Sequence, residues 1–157
     1  MPASFAIQAI GHVHCARADA IDDNWDAVPS KISLDASRFG SEALAGLESF
    51  SHVEVLYVFD KVGDGEINTN ARHPRGRTDW PKIGIFAQRG KGRPNRIGAT
   101  ICKVISVQGT TLEVQGLDAI DGTPVIDIKP VMSGFLPRGE LREPAWSLEI
   151  MQHYWKA

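Results

Sequence analysis

Short runs in which apolar and polar residues alternate recur along this chain, and a period of two marks a strand with one buried face. Phe5 to Cys15 reads as the first, with Phe5, Ile7, Val13 and Cys15 on one side and His12 and His14 sharing the other. Lys31 to Leu34 is a second, shorter one. Ser41 can cap a short helix in which Leu44, Leu47 and Phe50 fall at helical spacing, although Gly46 weakens it. VEVLYVF, from Val53 to Phe59, is β-branched and aromatic enough for a largely buried strand. Ile83 to Ala87 predicts another. Ile97 to Val107 and Thr111 to Leu117 flank Gln108-Gly109-Thr110 as a hairpin would, and Val125 to Lys129 adds a further strand. Pro144 opens a C-terminal helix with Trp146, Ile150 and Tyr154 on one face.

From Lys61 to Lys82 there is no apolar period, only punctuation by Gly63, Gly65, Pro74, Gly76 and Pro81. A structureless stretch of that length in a compact domain is usually functional. Six or seven short strands, few helices and no βαβ alternation predict a mainly β fold. The expectation is one domain over residues 1–157, a small closed or nearly closed β-barrel with a short helix and a C-terminal helix.

Composition changes this picture in two places. Cys15 and Cys102 are the two cysteines in 157 residues, far apart and without metal or redox spacing, so a reducing compartment is expected. No run is long enough to span a membrane, and MPASFAIQAIGHVHC lacks the basic start of a signal peptide. The expected setting is soluble and cytoplasmic. The net charge of −2 hides an uneven distribution. Between Arg72 and Arg96 stand Arg72, Arg75, Arg77, Lys82, Arg89, Lys91, Arg93 and Arg96 against the single acid Asp79. A positive segment on an acidic body attracts a polyanion, while a solvated basic loop is the plainer reading.

Several familiar sites are absent or weak. Gly84 to Lys91 has five residues between its glycines and Gly92 where a phosphate-binding loop needs a hydroxyl, and no dinucleotide fingerprint follows. His12 and His14 lack a third ligand, so no metal is expected. Two segments carry more chemistry. Gly84 to Gly98 reads as strand, basic Gly-rich turn, strand, where glycines allow close approach and Arg89 and Arg93 offer planar donor forks. Gly116 to Pro130 alternates carboxylates with apolar residues around a turn, its acids serving either a ligand's amine and hydroxyls or the turn itself.

Those segments, with Gly46-Leu47-Glu48-Ser49-Phe50-Ser51-His52 before them, resemble the TrmO (TsaA-like) family in order and in residues. The matching elements are Phe86-Ala87-Gln88-Arg89, then Arg93-Pro94-Asn95-Arg96-Ile97-Gly98, then Leu117-Asp118-Ala119-Ile120-Asp121-Gly122-Thr123-Pro124-Val125-Ile126-Asp127-Ile128-Lys129-Pro130, within a likeness from about Phe5 to about Pro137. The resemblance implies a β-barrel methyltransferase, usually a homodimer, that uses S-adenosylmethionine to methylate N6 of the threonylcarbamoyl-modified adenosine beside the tRNA anticodon. Carried over, it puts the cofactor at Asp60, Lys61, Arg89, Ile97 and the turn Leu117, Asp118, Ala119, Ile120 and Asp121. Arg72, Arg75, Arg77, Lys91 and Arg93 would hold phosphates of the anticodon loop. Asn95 and Asp121 are the candidates for orienting the acceptor amine, with a turn-holding role as the alternative.

The chain also departs from that pattern. Gly90, Lys91 and Gly92 stand where many members have serine, proline and an aromatic, Arg96 replaces a proline, and Asp60 replaces a frequent histidine. The family's proline-arginine-glutamine element is not apparent around Asp22 to Val28, and longer bacterial members carry a C-terminal domain with no counterpart here. Two other readings therefore stay open, an RNA-binding or cofactor-sensing barrel without catalysis and a methyltransferase on another substrate.

Overall fold

A computed structural model describes residues 3–156. Six antiparallel strands close into a barrel: β1 (Gly11–Cys15), β2 (Pro29–Leu34), β3 (His52–Val58), β6 (Ile97–Gln108), β7 (Thr111–Gln115) and β8 (Pro124–Pro130), in the spatial order β1-β2-β7-β6-β3-β8. Two further strands of two residues each, β4 (Ala71–Arg72) and β5 (Ile83–Gly84), pair only with one another in the excursion between β3 and β6. One α-helix, α1 (Ala145–Ile150), follows the barrel. The expected mainly β barrel with a C-terminal helix is what the chain forms.

Alternation builds the interior. Val13, Ile32, Leu34, Val53, Val55, Tyr57, Cys102, Leu112, Val114 and Val125 point inward and pack as one core. Leu117 and Ala119, from the turn after β7, close one end of it. Each fully buried Val or Leu contributes about 1.5–3 kcal/mol, and a six-stranded barrel is narrow enough for side chains alone to fill. His12 and His14 lie exposed on the outer face of β1, as their parity requires.

Four expectations need correction. β1 begins at Gly11, not Phe5, because Phe5 and Ile7 have nothing to pack against and stay exposed. The helix over Leu44 to Phe50 is replaced by two 3-10 turns, Ser41–Leu44 and Leu47–Ser49, split where Gly46 takes φ +92°. Ile83 to Ala87 is a strand only over β5, and Ile85–Ala87 coils into a 3-10 turn that buries Ile85. Consequently Gly84 to Gly98 is not a hairpin, since β5 pairs with β4 and β6 pairs with β3. The stretch from Lys61 to Lys82 is also less bare than it reads, holding β4, two 3-10 turns and the buried Val62 and Trp80.

β6 changes neighbour along its length. Ile97 to Lys103 pairs with β3, and Lys103 to Gln108 pairs with β7, with an irregularity between Val104 and Ser106. At the other side of the barrel Gly11 pairs with both Leu34 and Val125, and a side chain there would overlap the Ser33 carbonyl. Gly11→Ala is therefore expected to lower stability by about 1–3 kcal/mol. Gly40→Ala, with open space around it and φ −83°, should stay within about 0.5 kcal/mol of wild type. Urea unfolding of the two variants checks the contrast.

Candidate functional site

Cys15, Pro29, Val58, Ile97, Gln115 and Pro124 all lie at strand ends on the same mouth of the barrel, as the register dictates. The segments 16–28, 59–96 and 116–123 therefore all emerge there. The chain after α1 reaches the same place, where Asn24 and Trp25 donate backbone hydrogen bonds to the carbonyls of His153 and Tyr154 at 3.1 and 2.9 Å.

One strand edge at this mouth is open. Val104 donates to the Ser51 carbonyl and Phe59 to the Arg96 carbonyl, so even-numbered residues of β6 turn their amides toward β3 and odd-numbered ones turn away. Lys103 finds Gln115 on that second side, but β7 stops there because Gly116 takes φ +79°. Only glycine serves at that corner, since a side chain would lie 2.8 Å from an Asp26 carboxylate oxygen. Ile101, Ala99 and Ile97 are left facing a side without a strand. Arg89 reaches across and donates to the Ala99 carbonyl.

Asp118 sits beside this edge and holds it in place. Its Oδ1 accepts from the Tyr57 hydroxyl at 2.7 Å and from the Thr100 hydroxyl, and its Oδ2 accepts from the Tyr154 hydroxyl. Burial, and then the charge of Asp118, push both phenols well above the usual tyrosine range. Asp121 lies farther round the rim, exposed, accepting from the Cys15 amide at 3.1 Å while its own amide donates to Arg17. Asn95, with φ 63°, precedes β6, which lies opposite β1 in the ring of strands, so the two proposed orienting residues stand on opposite sides of the mouth. Arg96 also has positive φ, 53°, and consecutive left-handed residues of this kind store about 1–3 kcal/mol each, a pattern common at ligand sites.

The expected cofactor residues gather here. Asp60 and Lys61 leave β3 next to Ile97 and form an ion pair of 3.6 Å. Arg89 and Asp118 flank Ala99 and Thr100, while Leu117 and Ala119 point into the core and offer a ligand only their backbone. Ile120 is half-buried.

The basic residues are less free than their number implies. Arg75 pairs with Asp23 at 3.0 Å and Asp22 at 3.7 Å, Arg77 pairs with Asp79 and lies 4.0 Å over the Trp80 ring, and Arg96 pairs with Asp64. That bond to Arg77 holds the Asp79 carboxyl below its usual range. Arg93 donates to the Gln88 carbonyl at 2.8 Å. The Arg72 guanidinium fills the space left by Gly90 and Gly92, where any side chain would collide with it or with the Glu66 carbonyl. Lys82 and Lys91 are exposed and have no ion-pair partner among the described residues.

Tyr57, Thr100 and Tyr154 escaped sequence reasoning as parts of the site. The signal for Tyr57 was present, because its parity with Val53 and Val55 buries a phenol that must find a hydrogen-bond partner. Nothing local predicted that Tyr154 would meet Asp118.

Fold and site together define a small closed β-barrel whose loops gather at one mouth around an open strand edge. A family model described as the tRNA-methyltransferase O N-terminal domain matches residues 22–135, and the chain belongs to that family. The mouse (Mus musculus) tRNA (adenine(37)-N6)-methyltransferase is 44% identical over 105 residues, which is 67% of this chain and 24% of that protein. A Rhizobium radiobacter protein named probable S-adenosyl-L-methionine-binding protein VirR is 35% identical over 121 residues, 71% of this chain and 61% of the relative. A crystal structure of TrmO from Pseudomonas aeruginosa superposes with a TM-score of 0.74 at 26% identity, covering 93% of this chain and 63% of that one. This chain thus spans less than two thirds of each of these three.

Both tyrosines of the protein belong to the Asp118 cluster. Below pH 10 the folded and unfolded chains both keep the phenolic protons, and the cluster's contribution is whole. Above it the unfolded chain ionises while the native one does not, so stability should fall with rising pH, by up to about 1.4 kcal/mol per unit for each tyrosine. Ultraviolet titration should show no tyrosinate near pH 10 in the native protein, its absorbance appearing only with unfolding. Titration of a folded protein at pH 10 would contradict this geometry.

Proposed function

We propose that this chain is an S-adenosylmethionine-dependent methyltransferase acting on N6 of the threonylcarbamoyl-modified adenosine beside the anticodon of a tRNA. The observation that carries the reading is that Arg89 and Asp118 meet Ala99 and Thr100 at the unpaired edge of β6, with Asp60 and Lys61 beside Ile97 and the rest of the turn from Leu117 to Asp121 at the same mouth of the barrel. The names of the relatives support it. The donor set also fits the cofactor: strand-edge amides and carbonyls suit an adenine, an arginine fork suits a carboxylate, and exposed acids such as Asp60 suit an ammonium group.

When bound, S-adenosylmethionine supplies an electrophilic methyl group. What the protein's residues do is bind and align. Arg89, whose guanidinium donates to the Ala99 carbonyl, would hold the methionyl carboxylate, and the backbone of residues 117–120 would line the adenosine. Asp118 contributes as the clasp that fixes this backbone, since its oxygens already hold three hydroxyls. Asn95 and Asp121 are alternative acceptors for the single N6–H of the modified adenosine, and the one that meets it orients the nitrogen while the proton passes to solvent as the methyl group is transferred. Holding two reactants in line is itself a contribution of up to ~7–11 kcal/mol, so no strong base is required.

Lys91, with Arg72, Arg75, Arg77 and Arg93 behind it, contacts phosphates of the anticodon loop. Residues 1–157 act as one TsaA-like barrel unit. Exposed Ile105, Met132, Phe135 and Leu136, on the outer face of β6 and after β8, favour a homodimer. No helix among the described residues is long and apolar enough to cross a membrane, which accords with work on tRNA in the cytoplasm.

Three measurements test the reading. Incubation with S-adenosylmethionine and total tRNA should yield S-adenosylhomocysteine and labelled tRNA; binding of cofactor without product would favour a sensing barrel instead. Arg89→Ala should weaken cofactor affinity by about tenfold or more, the loss of one charge-assisted hydrogen bond. Lys91→Ala should reduce the slope of log tRNA affinity against log salt by just under one unit, whereas Arg77→Ala, already neutralised by Asp79, should change it less.

A further inference from the structure

Below the mouth, where β7 parts from β6, the outer wall of the barrel carries a groove of about 340 Å³ lined by Asp26, His52, Ile101, Lys103, Gln115, Gly116 and Trp155. That volume is at the lower end of the range for small-ligand sites. It adjoins the cluster described above through Ile101 and Gly116 and extends away from it toward Lys103. Lys103 is six residues along β6 from Ile97, about 20 Å at the rise of a strand. Trp155 also falls beyond the family match, which ends at residue 135.

The groove is built by the same corner that opens the strand edge. Gly116 leaves room for the indole, with a Trp155 ring atom 3.9 Å from where a side chain would begin. Tyr154 packs edge-on against that indole at 4.9 Å, and the carbonyls of His153 and Tyr154 hold the backbone, so the ring is presented on a fixed support. Ile101 gives an apolar surface, and its amide and carbonyl face the side without a strand. The Gln115 amide nitrogen donates to the Asp26 carbonyl at 3.0 Å, which leaves its oxygen turned to other donors. Neither the Asp26 carboxylate nor the Lys103 ammonium has an ion-pair partner among the described residues.

A flat aromatic surface, a strand edge offering one donor and one acceptor, a carboxylate and a separate cation match the parts of one nucleotide. The ring stacks, an exocyclic amino group donates to the acids and carbonyls, a ring nitrogen accepts from the amide, and the phosphate meets the lysine. We propose that this groove seats a base of the RNA other than the acceptor adenosine, with Trp155 stacking on it and Lys103 on its phosphate. The proposal rests on the tRNA-methyltransferase reading. It makes the C-terminal segment, not only the basic excursion, part of RNA recognition.

The test compares wild type, Trp155→Ala, Trp155→Phe and Lys103→Gln in tRNA affinity across a salt series, S-adenosylmethionine affinity and methyl transfer to tRNA. Stacking is insensitive to salt, so Trp155→Ala should weaken tRNA binding by about fivefold or more without changing the salt slope, and Trp155→Phe should recover most of the loss. Lys103→Gln should reduce the slope by just under one unit. Cofactor affinity should remain that of wild type in all three. If Trp155→Ala fails to fold, the Lys103→Gln slope decides. Wild-type tRNA binding in both Trp155→Ala and Lys103→Gln overturns the proposal, and so does a parallel loss of cofactor affinity, which would give the groove to the cofactor. A wild-type protein that binds tRNA through Trp155 yet transfers no methyl group sustains the base site and removes the methyltransferase reading; one that binds no tRNA removes both.

Discussion

The carboxylate of Asp118 holds the working end of this barrel together. A charge beside an apolar core is too costly to keep without partners, and here three hydroxyls satisfy it from three different parts of the chain, Tyr57 on β3, Thr100 on β6 and Tyr154 after α1. Hydrogen bonds to a charged group are each worth about 1.5–3 kcal/mol net, and the loss of a shared acceptor strands every donor at once. The turn from Gly116 to Thr123 is thereby fixed against the barrel wall and the C-terminal segment against the turn. Because both oxygens are engaged, the Asp118 side chain acts by keeping the backbone of the turn in register.

Electrostatics follow the same economy. The excess of cations between Arg72 and Arg96 looks from the sequence like a polyanion site, yet acids on neighbouring segments take up much of it. Arg75 ties the excursion to Asp22 and Asp23, and Arg96 ties the entry of β6 to Asp64. Exposed ion pairs of this kind contribute only about 0–1 kcal/mol each, so their main effect is to set where segments lie. The remaining field comes from a few exposed cations, Arg89, Lys82 and Lys91 among them. In the proposed function, a few free charges beside a fixed scaffold steer an RNA without making the surface sticky to every polyanion.

Much of this was legible in the sequence, for definite reasons. β2, β3, β6, β7 and β8 could be read because alternation toward a filled interior leaves a strong period-two signal, and Val53, Val55 and Tyr57 show it most clearly. The start of β1 could not, since Phe5 and Ile7 continue the alternation although no partner strand is there to use it. Ile83 to Ala87 misled for a related reason: Ile85 is buried by a 3-10 turn in the excursion, not by the barrel. Of the candidate site, the sequence pointed to the residues around Arg89, Ile97 and Asp118, which the fold does gather. Three partners of the clasp and the Trp155 groove depend on contacts between segments far apart in the chain, such as Tyr154 with Asp118, for which no local pattern exists.

Closing a sheet into a barrel removes edges, and this barrel restores one at a chosen place. β6 runs twelve residues but has β7 beside it only from Lys103 onward, so its first half keeps a row of unpaired amides and carbonyls. An unprotected edge invites pairing with any other strand. Here the neighbours allow only particular occupants: Arg89 covers Ala99 from one end, Trp155 and Gly116 narrow the approach at Ile101, and the turn held by Asp118 stands over Thr100. What remains is too short and too walled for a strand. The glycine that ends β7 therefore shapes this edge as much as the charged residues around it, because any side chain at that corner would meet the Asp26 carboxylate.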